Sequence, residues 1–283
     1  MTESVDTNDI SSFEVVLSGV LDLLDSDEQQ FIYLTGAAGT GKTTLIEKVL
    51  EENSLKKIVV APTGVAALNI GGSTINSAFR IGFDTFPVIQ ESNDPRFKKL
   101  LKKLELLIID EISMVRAPML DAISETLKLY RNSEEPFGGV HVLACGDLFQ
   151  LPPVVKDHEV NAIDEKYESV YFFSSNSFKE IKSPSFFELT YSFRQSEDEN
   201  FYSLLNNIRL GENLEDSINQ INRACFNPDF ENESSLIITT RKYRAEQINE
   251  EMLNFIEGPA TSAKSEDLES LMRMIYRHLE IFD

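Results

Sequence analysis

The run Gly36-Ala37-Ala38-Gly39-Thr40-Gly41-Lys42-Thr43, followed by Thr44, fills every fixed position of G-x-x-x-x-G-K-[ST]. Its glycines let successive backbone N–H groups converge on one anion, and a helix beginning near Gly41 adds its positive N-terminal end. Lys42 then reaches the β- and γ-phosphates, and the Thr43 hydroxyl sits on Mg²⁺. A nucleoside triphosphate with magnesium is therefore the expected ligand. A second piece, Leu106-Leu-Ile-Ile-Asp110-Glu111, is an apolar strand that ends in two carboxylates. Asp110 is placed to hold the magnesium shell, and Glu111 to polarise the attacking water as general base.

Three further segments follow strands. Gly146-Asp-Leu-Phe-Gln150-Leu-Pro-Pro153 carries a neutral amide, Gln150, that can touch a γ-phosphate and report its loss. Taken alone, a polar turn stiffened by prolines reads equally well. Tyr191-Ser-Phe-Arg194-Gln195 supplies a permanently charged fork suited to phosphate. As a finger from a neighbouring lobe it would stabilise the transferring phosphoryl group; as a helix-start surface arginine it would do nothing. Ala61-Pro62-Thr63-Gly64 lies where a strand's C-terminal end meets a helix start, and can hold a backbone phosphate of a nucleic-acid strand or simply cap the helix.

These residues need elements to position them. Short apolar runs at 31–35, 57–61, 105–110 and 140–145 alternate with helical patterns at 42–52, 64–69 and 117–131. Alternation of this kind predicts an α/β fold with a parallel sheet covered by helices on both faces. Residues 185–190, helical patterns over 198–210 and 214–225, a strand at 236–240 and a helix over 242–256 suggest a second α/β unit. Before the first strand, Phe13, Val16, Leu17, Val20, Leu21 and Leu24 recur at helical spacing within an acidic segment. Arg96, Lys98, Lys99, Lys102 and Lys103 interleave with Phe97, Leu100, Leu101 and Leu104. A solvated amphipathic helix is the preferred reading of that cluster, with a strand-binding track as its rival.

Composition narrows the class. With 26 basic and 47 acidic side chains the net charge is −21. That argues against a generally basic nucleic-acid binder and leaves room only for a local track. Cys145 and Cys225 lack metal-ligand spacing, and the three histidines form no cluster. No stretch has transmembrane length and the N-terminus lacks a signal pattern, so a cytoplasmic, nucleoid-associated protein with no membrane partner is expected.

The ordered segments Gly36–Thr44, Ala61–Ala67, Gly72–Phe79, Leu107–Met114, Gly146–Val155, Glu188–Gln195 and Thr239–Asn249 together resemble superfamily 1 DNA helicases of the Pif type. The resemblance covers roughly residues 10–257. It implies a P-loop NTPase built of RecA-like lobes, with ATP and Mg²⁺ in the cleft and 5′-to-3′ movement on single-stranded or forked DNA in repair, recombination or replication. Lys42, Glu111, Gln150 and Arg194 would be the catalytic residues, Thr43 and Asp110 the metal ligands. Pro62, Thr63, Gly64, Thr74, Asn76 and Thr240 would face nucleic acid. The implied organisation is an acidic segment and helix over 1–30, a first lobe over 31–183, a partial second lobe over 184–257 and a helical tail over 258–283. The first lobe would carry a small wedge-type insertion at about 80–104. The chain departs from the family at Asn76, where histidine is usual, and has no clear adenine-reading glutamine. Gln29 and Gln30 lie too close to the first strand. Later second-lobe segments are not found, so a monomer, weak alone and completed by a partner chain, is the expectation. The competing class is a nucleotide-binding protein with no motor function; a clamp-loader type of ATPase is disfavoured by Gly146–Val155.

Overall fold

The computed structural model describes residues 7–191, 199–226 and 237–254. The chain divides into two compact units, 1–226 and 227–283. The first unit opens with α1 (Thr7–Leu24), β1 (Phe31–Gly36), α2 (Lys42–Glu52), β2 (Lys57–Ala61) and α3 (Gly64–Asn69). It continues through β3 (Ser73–Thr74), α4 (Ile75–Phe79), α5 (Pro95–Lys103), β4 (Leu106–Ile109), α6 (Ala117–Arg131) and β5 (His141–Cys145). It closes with α7 (Asp157–Asp164), α8 (Asn176–Lys179), β6 (Ser185–Leu189), α9 (Glu199–Leu210) and α10 (Leu214–Cys225). The described part of the second unit contains α11 (Lys242–Asn254).

All six strands join one parallel sheet in the order β3-β2-β4-β5-β1-β6. Strand alternation sorts the core. Phe31 and Tyr33 face one side with Leu107, Ile109, Val142 and Ala144, beneath α4, α5 and α6. Ile32 and Leu34 face the other with Leu106, Ile108, Leu143 and Cys145, beneath α1 and α2. Burial on both faces is why β4 reads as an unbroken apolar run, Leu106 to Ile109. This is the expected α/β P-loop architecture. The C-terminal ends of β1, β2, β4 and β5 all point to one edge, which is where such sheets bind ligands.

Three expectations are corrected. The strand at 185–190 does not open a second unit: β6 pairs in parallel with β1, from Ile32↔Ser185 to Gly36↔Leu189. Its Leu189 is buried in the first core, so a boundary at 183/184 would strip an edge strand from the sheet. Residues 237–240 take no strand conformation; Ile237 and Ile238 are exposed, with no neighbouring strand to pair them among the described residues. The segment at 80–104 is not wholly an insertion, because Phe97 and Leu101 of α5 are buried against α6 and belong to the core. Leu100 of the same helix is 47% exposed, so the apolar face is narrower than the sequence spacing suggested. The tail over 258–283 and the end of the helix expected over 242–256 lie outside the described residues.

Candidate nucleotide and strand-binding sites

The phosphate loop joins β1 to α2 by a backbone that only glycine permits at its ends. Gly36 passes so close to β6 that a Cβ there would meet the Leu189 carbonyl oxygen and Thr40 Oγ1 at 2.6 Å each. Gly41 sits left-handed, at φ 89°, as the N-cap of α2. Thr40 is buried, its Oγ1 donating to the Ala37 carbonyl at 3.0 Å, and this fixes the loop's curvature. Lys42 Nζ donates to the Gly36 and Ala37 carbonyls at 2.7 and 2.9 Å, which holds the ammonium over the loop.

A cavity of about 390 Å³ opens at this edge, lined by Ala38, Gly39, Gly41–Thr44, Asp110, Glu111 and Gln150. Two segments far from the loop in sequence therefore meet it. Asp110 follows β4, its backbone N–H pinned to the Val60 carbonyl, and its Oδ1 accepts from the Glu111 N–H at 3.0 Å. Glu111 adopts φ 52°, ψ 42°, an uncommon conformation for a side-chain-bearing residue and a form of strain typical of working sites. Burial pushes the Asp110 carboxyl above its ordinary value, against the pull of the Glu111 amide and Lys42. Burial, then the neighbouring Asp110, raise Glu111 likewise, making it a stronger base than a free glutamate. Cys145 behind them is buried, its thiol pushed well up by burial and by Asp110, as fits an inert core residue.

A second cavity, of about 350 Å³, lies along the same edge and is lined in part by Pro62, Thr63, Asn76, Phe83, Arg116 and Glu159. Here the side chains largely satisfy one another. Thr63 caps α3 by accepting from the Ala66 N–H, and Thr74 caps α4 by accepting from Ser77. Asn76 spends its amide donors on the Ile81 and Gly82 carbonyls, both at 3.0 Å, closing the turn after α4. Glu159 takes Thr85 Oγ1 at 2.5 Å and Arg116 Nη1 at 3.3 Å. Phe83 stands at the rim, 84% exposed.

Of the residues singled out in the sequence, the loop, Asp110, Glu111 and Gln150 meet in the first cavity, and Pro62, Thr63 and Asn76 in the second. Gly64 opens α3 beside Thr63. Thr240 belongs to the second unit, and Arg194 lies outside the described residues. Gln29 Nε2 is engaged by the Pro136 and Val140 carbonyls at 2.5 and 2.9 Å. Sequence reasoning missed Arg116, Glu159 and Arg209, which are ordinary helix or loop residues until the fold pairs them. No helix among the described residues is long and apolar enough to cross a membrane.

A phosphate loop and an Asp-Glu strand end on a six-stranded parallel sheet define a RecA-like P-loop NTPase lobe. The PIF1-like helicase family matches residues 11–219, and the chain belongs to that family. It is 32% identical over 289 residues to the ATP-dependent DNA helicase PIF1 of Candida albicans, covering 92% of this chain and 31% of that protein. The human ATP-dependent DNA helicase PIF1 is 37% identical over 188 residues, 64% of this chain and 28% of its own length. Pif1 helicase from Bacteroides, solved with ADP-AlF3 and ssDNA, superposes with a TM-score of 0.77 at 38% identity, over 86% of this chain and 57% of that one. The chain thus spans less than two thirds of the length of these relatives.

Proposed function

We propose that this chain is the ATP- and strand-binding portion of a DNA helicase, hydrolysing ATP to drive movement along single-stranded DNA. The observation that carries the reading is the meeting of Lys42, Asp110, Glu111 and Gln150 in one cavity at the phosphate loop. The donor set suits Mg²⁺ with a triphosphate: a half-buried carboxylate at a strand end and an exposed threonine hydroxyl at the loop exit. Thr43 and Asp110 would hold the ion, which when bound neutralises charge on the phosphate oxygens.

The chain's own groups do the rest. The Gly39–Thr44 N–H groups and Lys42 grip the β- and γ-phosphates and stabilise charge as the terminal bond breaks. The Glu111 carboxylate orients the attacking water and accepts its proton, a task its raised basicity favours. Gln150 contacts the γ-phosphate from the β5 exit. Arg194, from the segment after β6, completes the set by family resemblance as a charge-stabilising finger. Single-stranded DNA would run along the second cavity, with Pro62, Thr63, Gly64, Thr74 and Asn76 on its path. Phosphate contacts there would come from backbone N–H groups at the starts of α3 and α4, since Asn76 has its amide donors engaged.

The test is Mg²⁺-dependent ATP turnover by the purified chain, with and without single-stranded DNA. Turnover stimulated by the strand and lost in Glu111→Gln is the expected outcome. Nucleotide binding with no turnover under either condition would sink the motor reading.

A further inference from the structure

The side chain of Asp147 is fully buried three residues before Gln150, and four donors converge on it. Arg209 Nε reaches Oδ2 at 2.9 Å and Arg209 Nη2 reaches Oδ1 at 3.0 Å, a two-point fork. The Phe149 N–H donates to Oδ1 at 3.1 Å, and Gln150 Nε2 to Oδ2 at 3.2 Å. The Arg209 guanidinium also lies over the Phe149 ring, 4.7 Å from its centroid. Arg209 is in the last turn of α9, which follows the Arg194 segment in the chain. One carboxylate thus holds the amide of a residue lining the phosphate-loop cavity and a cation of another segment, 62 residues away.

We infer that Asp147 and Arg209 form a positioning pair that sets the Gln150 carboxamide against the phosphate end of the nucleotide and ties its angle to the placement of α9. The inference rests on the ATPase reading above. Asp147 Oδ2 takes both the Arg209 Nε–H and the Gln150 amide, so a shift of α9 is transmitted through a single oxygen. The pair is committed to its charged form: burial pushes the Asp147 carboxyl up, but the Arg209 fork and the Phe149 amide outweigh it and hold the group below its ordinary value. Arg209 is held above its own by the same contact. Lysine could replace the charge but not the fork.

The experiment compares Arg209→Ala, Arg209→Lys, Asp147→Asn, Gln150→Ala and Arg209→Ala/Gln150→Ala in the full chain. It reads kcat and KM for ATP with saturating oligo(dT). It also reads the affinity of a fluorescent ADP with and without fluoroaluminate. Arg209→Ala and Asp147→Asn are expected to leave ADP affinity within about twofold. They should lower kcat roughly ten- to a hundredfold, as small misplacements of reacting groups do, and cut the fluoroaluminate preference by a similar factor. Arg209→Lys, which keeps a charge against Asp147 and protects folding, should still show reduced kcat. The double variant should be no worse than Gln150→Ala alone. Full kcat in Arg209→Lys, or losses that multiply in the double variant, would overturn the pair while leaving the ATPase reading intact. Absence of both turnover and fluoroaluminate preference in the unsubstituted chain would overturn the ATPase reading and the pair with it.

Discussion

At the Gly36–Thr44 loop the chain leaves its charged groups facing a cavity, and among the described residues Lys42, Asp110 and Glu111 make no ion pair with one another. At the neighbouring cavity, between Thr63 and Glu159, the polar groups are already matched: Thr63 and Thr74 cap helices, Asn76 closes a turn, and Arg116 meets Glu159. Both cavities lie on one sheet edge, yet they suit different ligands. The first suits a compact, highly charged ligand, because charge drawn even partly out of water is costly until something neutralises it. The second suits a partner held by shape and scattered backbone donors, as a nucleic-acid strand of any sequence would be.

The largest expected effect breaks the first site while sparing the second. Glu111→Gln removes the general base and should lower ATP turnover by roughly 10²–10⁴-fold. Fluorescence anisotropy with a labelled oligonucleotide should show strand affinity unchanged, and equilibrium binding should show nucleotide affinity retained. Lys42→Ala comes next, at about 10²–10³-fold in kcat, for the loss of one charge-stabilising donor. Here nucleotide affinity should fall as well. If either substitution also abolished strand binding, the two cavities would not be separable sites.

Much of the first site was legible in the sequence and little of the second, for a physical reason. The phosphate loop works through backbone N–H groups, so glycine spacing alone encodes it, and an apolar run ending in Asp110-Glu111 marks a buried strand's exit. The second cavity is lined and framed by residues that do ordinary structural tasks. Thr63 looks like a helix cap because it is one. Arg116, Glu159 and Thr85 are joined only by the fold, across up to 74 residues, and no periodicity announces such a network. The same holds for Asp147 and Arg209. The misplaced boundary before β6 has a related cause: a strand's partner depends on register with β1, and nothing local distinguishes the last strand of one sheet from the first of another.

The matched state of the second site can be tested by acid. Glu159 is held down at about 2, first by the Thr85 hydroxyl and the Lys156 amide, with Arg116 adding to it. A carboxyl depressed on folding contributes stability that is present above its unfolded value, near 4.5, and is lost as pH falls toward 2. Glu159→Gln should therefore cost about 1.5–3 kcal/mol at neutral pH, in the range for hydrogen bonds to a charged group. The gap in melting temperature between the two proteins should then close as pH falls from 5 to about 2.5. A gap that stayed constant with pH would mean that the carboxylate's charge contributes nothing there.

The smallest effect separates the two duties assigned to Thr63. Its Oγ1 accepts from the Ala66 N–H at 3.2 Å, and Thr63→Ala, which loses that cap, should cost about 1 kcal/mol. For a unit of this size that is a drop of roughly 2–4 °C in melting temperature. Thr63→Asn restores a capping acceptor and should recover the stability. Strand affinity need not follow. If the α3 backbone N–H groups make the phosphate contact, Asn should restore binding along with the cap. If the threonine hydroxyl itself donates to the strand, Thr63→Asn should recover melting temperature while oligonucleotide affinity stays reduced. Either result assigns the contact to a particular atom, and equal affinity for all three proteins would remove Thr63 from the strand path.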